Sequence, residues 1–185
     1  MVGLDFGKPL FTREEIQRKI QELGTRISTD YADKDLLVVG VLKGALFFMS
    51  DLVRSLRISV RMDFIHCTSS SKSLDGQPVH MIADMQANVK GQDVLLVEDI
   101  MDSGVTIHYL KQRLLAQEPK SLKVCVLLDK PDRRKVQIEA DFAGFRIPNK
   151  YVVGYGLDWG GRYRNLPYIG VLKPEACREK TDNLV

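Results

Sequence analysis

Three carboxylates and a small polar loop follow one apolar run in the middle of the chain. Val94–Val97 is entirely apolar, Glu98 and Asp99 come directly after it, and Asp102 opens the segment DSGVT. An apolar helical pattern then begins at Ile107. This order predicts a buried strand that ends in acid, a tight turn and a helix. In an open parallel sheet, ligands bind beyond the carboxyl end of such a strand.

The predicted turn contains the groups of a phosphate cradle. Gly104 lets the backbone approach a ligand closely, and Ser103 and Thr106 offer hydroxyl groups. The N-terminus of the following helix adds unpaired N–H groups and the positive end of its dipole. Because carboxylates repel phosphate, Glu98 and Asp99 fit better as ligands of sugar hydroxyls and of a Mg2+ ion that accompanies an acidic substrate.

A purely structural interpretation of the same stretch is a strand followed by a capped turn. Asp102 or Ser103 would then cap the helix, and Glu98 and Asp99 would face solvent. Each residue taken alone favours this interpretation, but the combination of all of them at this spacing favours a ligand site.

Strand and helix patterns alternate around this stretch and predict an α/β fold with a mainly parallel, twisted sheet flanked by helices. Thr12 and Glu15 form a capping-box pattern that predicts the start of a first helix. Strands are predicted at 36–41, 58–64, 94–97, 122–128 and 151–155, and further helices at 45–56 and 106–116.

The composition excludes several classes of protein. The chain has 185 residues, of which 44% are hydrophobic, and a net charge of +3 that is too small to predict a nucleic-acid partner. Its three cysteines form neither a zinc pattern nor a disulfide framework. No signal-peptide pattern or membrane-length apolar run is present, so we expect a cytoplasmic protein without a membrane partner.

The central motif resembles the phosphoribosyl pyrophosphate motif of phosphoribosyltransferases: an apolar strand, Glu-Asp, two residues, then Asp-Ser/Thr-Gly-x-Thr. From residue 12 to about 175 the chain resembles the hypoxanthine-guanine phosphoribosyltransferase family in its compact microbial type. Four further stretches carry the resemblance: VLKGALFF at 41–48, LLDKPDRR at 127–134, DFAGFRIPNKYVVGYGLDW at 141–159 and YRNLPYIGVLKPE at 163–175.

The resemblance implies a type I phosphoribosyltransferase fold with a single domain over 1–185, a mobile lid at about 68–78 and a purine-binding hood at about 130–175. It implies purine salvage, in which hypoxanthine or guanine and phosphoribosyl pyrophosphate give IMP or GMP and pyrophosphate, with Mg2+ as cofactor. It also implies a homo-oligomer, either a dimer or a tetramer.

The resemblance assigns the residues that bind phosphoribosyl pyrophosphate. Lys43 and Gly44 form the pyrophosphate loop, often with a cis peptide before the lysine, and Arg164 holds pyrophosphate. Asp102, Ser103, Gly104, Val105 and Thr106 form the 5′-phosphate loop, with Val105 contributing only backbone. Metal contacts are implied for Glu98, Asp99 and Asp158.

The resemblance also assigns the residues that bind the purine. Lys130 donates to the carbonyl of a 6-oxopurine, and adenine offers a donor at that position instead. Tyr151 stacks on the base, Val152 offers backbone groups to its edge, and Asp158 lies near it. Asp102 is the candidate general base. Alone, each of these residues fits an ordinary surface charge or strand position.

The sequence departs from the family pattern at the lid, and its motif is also compatible with other functions. The lid segment lacks the Ser-Tyr pair usual in the family, and Ser69 and Ser70 stand in its place. Other functions compatible with the motif are a xanthine- or pyrimidine-specific phosphoribosyltransferase and a non-catalytic sensor of phosphoribosyl pyrophosphate. Lys130 and Tyr151 favour a purine, and the retention of Asp102 and Arg164 favours catalysis.

Overall fold

A six-stranded, mostly parallel sheet forms the centre of the protein. The structure, a computed structural model, describes residues 7–69, 79–173 and 176. The strands lie in the order β3-β2-β1-β4-β5-β6, and every neighbouring pair is parallel except β2 with β3. Their bounds are β1 Leu36–Leu42, β2 Val60–Ser69, β3 Val79–Ala83, β4 Asp93–Met101, β5 Ser121–Asp129 and β6 Phe142–Arg146. The predicted α/β fold is thereby confirmed.

Helices cover both faces of this sheet: α1 is Arg13–Asp30, α2 is Leu46–Ser55 and α3 is Val105–Leu115. Leu36 and Val38 of β1 pack in one core cluster with α1 and α2, and Leu37 and Val39 pack in another with α3. Because β1, β4 and β5 are buried on both faces, their sequences are continuous apolar runs rather than alternating ones.

Helix α1 begins where the sequence predicts it. The Thr12 amide donates to Glu15 Oε2 at 2.8 Å, and the Glu15 amide donates to Thr12 Oγ1 at 3.3 Å. This reciprocal pair satisfies two backbone N–H groups that a helix start leaves without a partner.

The chain reverses its direction of travel across the sheet between β1 and β4. From β1 it runs through α2 to β2 on one side, and from β4 it runs through α3 to β5 on the other. The two loops therefore diverge at the carboxyl ends of β1 and β4 and leave a crevice between them.

A small layer lies over this crevice. A short 3-10 helix, Pro131–Arg133, follows β5, and a two-stranded antiparallel sheet is formed by β7, Val152–Val153, and β8, Gly170–Val171. The amides of Leu10 and Phe11 donate to the Ile169 carbonyl, which ties this layer to the start of α1.

Three predicted boundaries are wrong. Strand β4 continues past Val97 to Met101, because its pairing with β5 extends to Met101 opposite Asp129. Glu98 and Asp99 therefore lie within a buried strand. The strand predicted at 151–155 is only two residues long, and the one predicted at 58–64 runs instead from Val60 to Ser69.

The predicted lid lies mostly outside the described residues. Thr68 and Ser69 end β2, and 70–78 are not described. Among the residues that are described, no helix combines the length and the apolar character that crossing a membrane requires.

Candidate active site

Two adjacent cavities open at the carboxyl ends of β1, β4 and β5. The acidic cavity, of about 360 Å³, is lined by both loops of the crevice. The Lys130 cavity, of about 560 Å³, lies between the end of β5 and the upper layer. The two cavities share four lining residues: Asp99, Ile100, Asp102 and Asp158. Two ligands bound in them would therefore meet beside these residues.

The loop between β4 and α3 lines the acidic cavity. Gly104 is the residue preceding α3 and has φ 80°, a conformation that side chains disfavour. A Cβ at this position would also lie 2.7 Å from Cγ2 of Ile138. Gly104 has no side chain with which to cap the helix. The Asp102 carboxylate accepts hydrogen bonds from Lys130 and Arg133, so the structural interpretation in which Asp102 caps α3 is wrong. Ser103, Gly104 and Thr106 all line the cavity, as a phosphate cradle requires.

Glu98 and Asp99 form a buried acidic pair. Each residue is 8% exposed. Burial raises the pKa of Glu98 well above its ordinary value, and the negative charge of Asp99 adds to this. Burial likewise raises the pKa of Asp99, although hydrogen bonds and the positive charge of Arg164 oppose the increase. A cation bound next to the pair would favour the ionised form of both carboxylates, and their oxygen atoms are the type of ligand that Mg2+ prefers.

These carboxylates do not by themselves form a complete metal site. Within the described parts of the chain, no three His, Cys, Asp or Glu side chains lie together as a metal-binding group. Asp158 instead accepts from the Gly161 amide at 2.7 Å and pairs with Arg164 Nη2 at 2.7 Å. An ion held by Glu98 or Asp99 would need further oxygen ligands from a substrate or from water, which is usual for Mg2+.

The loop after β1 packs tightly against the acidic pair. The Leu42–Lys43 peptide bond is cis, in agreement with the family resemblance. A Cβ on Gly44 would lie 2.0 Å from Asp99 Oδ2, and one on Gly156 would lie 2.0 Å from the Gly44 carbonyl oxygen. Arg164 Nη1 donates to the Gly156 carbonyl at 2.5 Å. Glycine at 44 and 156 therefore brings this loop, β4 and the upper layer together.

Asp102 bridges the two cavities and is held by two cations. Lys130 Nζ lies 3.0 Å from its Oδ2, and Arg133 Nε lies 3.0 Å from its Oδ1. Burial acts to raise the pKa of Asp102, but the hydrogen bonds and charges of Lys130 and Arg133 outweigh it and hold that pKa below its ordinary value. The carboxylate is therefore ionised at neutral pH and is available to accept a proton from a bound ligand.

The Lys130 cavity offers an aromatic face and a buried ammonium group. Tyr151 is 47% exposed, and Trp159 packs against it edge-on with ring centroids 4.8 Å apart. The Lys130 side chain is only 7% exposed. Val152 lies buried at the start of β7. A planar ligand with a carbonyl group matches this combination of a flat ring and a buried donor.

Nearly all the residues predicted from the sequence line these cavities. Lys43, Gly44, Glu98, Ser103, Gly104, Thr106 and Arg164 line the acidic cavity, Lys130, Tyr151 and Val152 line the other, and Asp99, Asp102 and Asp158 line both. Val105 lines neither and begins α3, where its amide lies 3.4 Å from Ser103 Oγ.

Sequence reasoning missed two arginines beside the site. Arg133 lines the Lys130 cavity, and Arg134 donates to the carbonyl groups of Met101, Asp102 and Lys130 and pairs with buried Asp129. Arg134 thereby joins the end of β4 to the end of β5. The sequence could have pointed to both arginines, because they follow Lys130 by only three and four residues.

Cys67 was also missed as a residue lining the acidic cavity. Burial, with a smaller contribution from the charge of Glu98, raises its thiol pKa to about 11. A thiol that stays protonated at neutral pH is a poor nucleophile, so Cys67 contributes shape rather than chemistry.

Comparison with known proteins agrees with this geometry. The chain matches the phosphoribosyl transferase domain over residues 10–159 and belongs to that family. It is 48% identical over 175 residues to the hypoxanthine-guanine phosphoribosyltransferase of Bacillus subtilis strain 168, covering 94% of this chain and 97% of that protein. The resemblance inferred from the sequence is therefore confirmed.

Two solved structures extend the comparison to three dimensions. The hypoxanthine phosphoribosyltransferase of Staphylococcus aureus is 42% identical, with a TM-score of 0.87 over 92% of this chain and 94% of that one. That of Trypanosoma cruzi, in complex with the product IMP, is 41% identical, with a TM-score of 0.87 over 94% and 97% of the two chains.

Proposed function

We propose that this protein is a purine-salvage enzyme that transfers the phosphoribosyl group of phosphoribosyl pyrophosphate to hypoxanthine or guanine. The products are IMP or GMP and pyrophosphate. One observation carries the proposal: an acidic cavity with a phosphate-type loop adjoins a cavity with a buried lysine and an exposed tyrosine, and Asp102 lines both. This arrangement suits a reaction that joins a sugar phosphate to a planar base.

The acidic cavity binds phosphoribosyl pyrophosphate. The loop from Asp102 to Thr106 takes the 5′-phosphate, since Gly104 opens the backbone and α3 presents its N-terminus. Glu98 and Asp99 accept from the ribose hydroxyls. The pyrophosphate group binds to the loop at Lys43 and Gly44 and to Arg164, whose guanidinium group matches phosphate oxygens.

Mg2+ fits the oxygen donors of this cavity. Glu98 and Asp99 would hold it, directly or through water, together with Asp158 once that residue releases Arg164. When bound, the ion neutralises charge on the pyrophosphate. The raised pKa values of Glu98 and Asp99 support this proposal, because a nearby cation favours their ionised forms.

The Lys130 cavity binds the 6-oxopurine. Lys130 donates to the purine carbonyl, Tyr151 stacks on the ring, and the backbone of Val152 faces the edge of the base. The base thereby lies next to Asp102, which accepts a proton from a ring nitrogen as the bond to ribose forms.

Bond breaking precedes bond making in this mechanism. The bond to pyrophosphate breaks largely before the purine attacks, and the ribose gains the character of an oxocarbenium ion, as in glycoside cleavage. Arg164 stabilises the charge that accumulates on the leaving pyrophosphate. Glu98 and Asp99 fix the ribose through its hydroxyls, so the reacting carbon stays beside the base.

The cellular setting completes the proposal. The protein acts in the cytoplasm as a homo-oligomer, either a dimer or a tetramer, with small molecules as its only substrates. Cysteines without a disulfide framework support an intracellular location. Sedimentation analysis of the purified chain tests the oligomer.

A spectrophotometric assay with phosphoribosyl pyrophosphate, Mg2+ and each purine tests the function. We expect nucleotide from hypoxanthine or guanine and almost none from adenine. Asp102→Asn should lower turnover by roughly 10²–10⁴-fold, the range for loss of a general base. Substrate binding should change less, because the amide nearly preserves the shape. Near-normal turnover with chemistry rate-limiting would remove Asp102 from this role.

A further inference from the structure

Arg133 bonds to the same carboxylate as Lys130, and the proposed mechanism gives it no task. Its Nε lies 3.0 Å from Asp102 Oδ1, while Lys130 Nζ lies 3.0 Å from Oδ2. Each oxygen of Asp102 therefore has its own cation. The Arg133 side chain is 48% exposed, and the Lys130 side chain is 7% exposed.

The short 3-10 helix after β5 places the side chains of Lys130 and Arg133 on the same side of the turn, next to Asp102. The Arg133 amide donates to the Lys130 carbonyl at 3.1 Å, so the two residues are three apart across a single turn. In a 3-10 turn, side chains at positions i and i+3 lie above one another. Pro131 fixes the backbone where this turn begins.

Purine binding requires Oδ2 of Asp102 to become available to the base while the carboxylate stays in position. When Lys130 turns its ammonium group to the purine carbonyl, its hold on Oδ2 weakens, and Oδ2 becomes available to a ring N–H. Without a second anchor the carboxylate would be free to rotate away. Asp99 and Asp158 line the same cavity and would repel it from the site.

We infer that Arg133 is a positioning residue that anchors Oδ1 of Asp102, so that Oδ2 faces the purine when Lys130 leaves it. The inference rests on the proposed function. In the step concerned, the N–H bond of the purine breaks and its proton passes to Oδ2. The electron pair released to the ring allows a ring nitrogen to bond to the ribose carbon that pyrophosphate leaves. Arg133 is suited to the task because a guanidinium group presents its N–H donors in a fixed planar arrangement.

Single-turnover kinetics of Arg133→Gln test this role. The rate of nucleotide formation from bound phosphoribosyl pyrophosphate, Mg2+ and hypoxanthine should fall roughly 10- to 100-fold, the equivalent of one charge-assisted hydrogen bond. The affinities for both substrates should stay unchanged, because in this role Arg133 acts on the reaction only through Asp102. Arg133→Lys should recover part of the rate, since it keeps the charge but not the guanidinium geometry.

Arg146→Gln is the matched control. Arg146 ends β6 at the same edge of the sheet, its side chain is 79% exposed, and its Nε lies 3.8 Å from Asp129 rather than near Asp102. This variant should react at the wild-type rate. A control that slowed as much as Arg133→Gln would show that general loss of positive charge is responsible, and it would overturn the inference.

Two further results would also overturn it. One is an Arg133→Gln protein with the wild-type single-turnover rate, and the other is a normal rate with weakened hypoxanthine binding, which would make Arg133 a direct purine contact. Failure of the proposed function is distinct from both. In that case the wild-type protein itself would form no nucleotide from hypoxanthine or guanine.

Discussion

Gly44→Ala tests whether close packing between the loop after β1 and strand β4 sets the geometry of the acidic cavity. The added methyl carbon would lie 2.0 Å from Oδ2 and 2.6 Å from Cγ of Asp99. Asp99 is 8% exposed, and Gly156 presses on Gly44 from the upper layer. Asp99 Oδ2 is the end of a side chain, but burial confines that side chain, so either the loop or the carboxylate must move.

The size of the effect follows from this overlap. Overpacking of a tightly packed site costs about 1–3 kcal/mol. For a chain of this size each kcal/mol lowers Tm by roughly 2–4 °C, so we expect a decrease of about 2–12 °C. Displacing a substrate-binding group by about 1 Å can cost roughly 100-fold in rate. We therefore expect kcat/KM for phosphoribosyl pyrophosphate to fall by that order.

Thermal unfolding and steady-state kinetics on the same preparation measure both effects. Gly91→Ala is the control, because Gly91 has φ 69° with open space around its Cβ position and lies in the loop before β4, at the opposite end of that strand from the cavities. Its backbone strain should cost about 1–2 kcal/mol of stability without changing kcat/KM. A Gly44→Ala protein with normal kcat/KM would refute the reasoning, whatever its Tm.

Four further outcomes are expected. Lys130→Met should lower kcat/KM for hypoxanthine by roughly 100-fold or more while phosphoribosyl pyrophosphate still binds, and equal wild-type use of adenine and hypoxanthine would contradict this assignment. Arg134→Met should lower the free energy of unfolding by about 3 kcal/mol, because it removes the close partner of Asp129, which is 6% exposed; Arg146→Gln, which removes only the 3.8 Å pair to the same carboxylate, should cost less, and calorimetry compares the two. Burial acts to raise the pKa of Asp51, but hydrogen bonds from Tyr155, Gln17 and Arg54 outweigh it and hold that pKa below its ordinary value. The carboxylate therefore stabilises the fold above that ordinary value, and the stability gap between wild type and Asp51→Asn in urea should narrow as the pH falls below about 4 and passes the lowered pKa of the folded protein. Removal of Mg2+ with a chelator should abolish nucleotide formation, and added Mg2+ should restore it; full activity in the chelator would refute the metal proposal.

The sequence alone determined the elements whose signals are local. Capping at Thr12 and Glu15 depends on residues three apart, and the apolar runs of β1, β4 and β5 depend on neighbouring residues. The loop from Asp102 to Thr106 was also predictable, because its residue types and spacing lie within one short segment. Assignments such as Lys130 and Arg164 came from the family resemblance, since a single charged residue carries no local signal.

The tertiary structure decided everything that depends on strand pairing and on contacts between distant segments. Glu98 and Asp99 are buried because pairing with β5 extends β4 beyond its apolar run. Asp102 is held by two cations from a turn about thirty residues later, and the register between β4 and β5 brings them together. The role of Gly44 likewise became visible only when β1 and β4 lay side by side, because a steric clash depends on which atoms the fold makes neighbours.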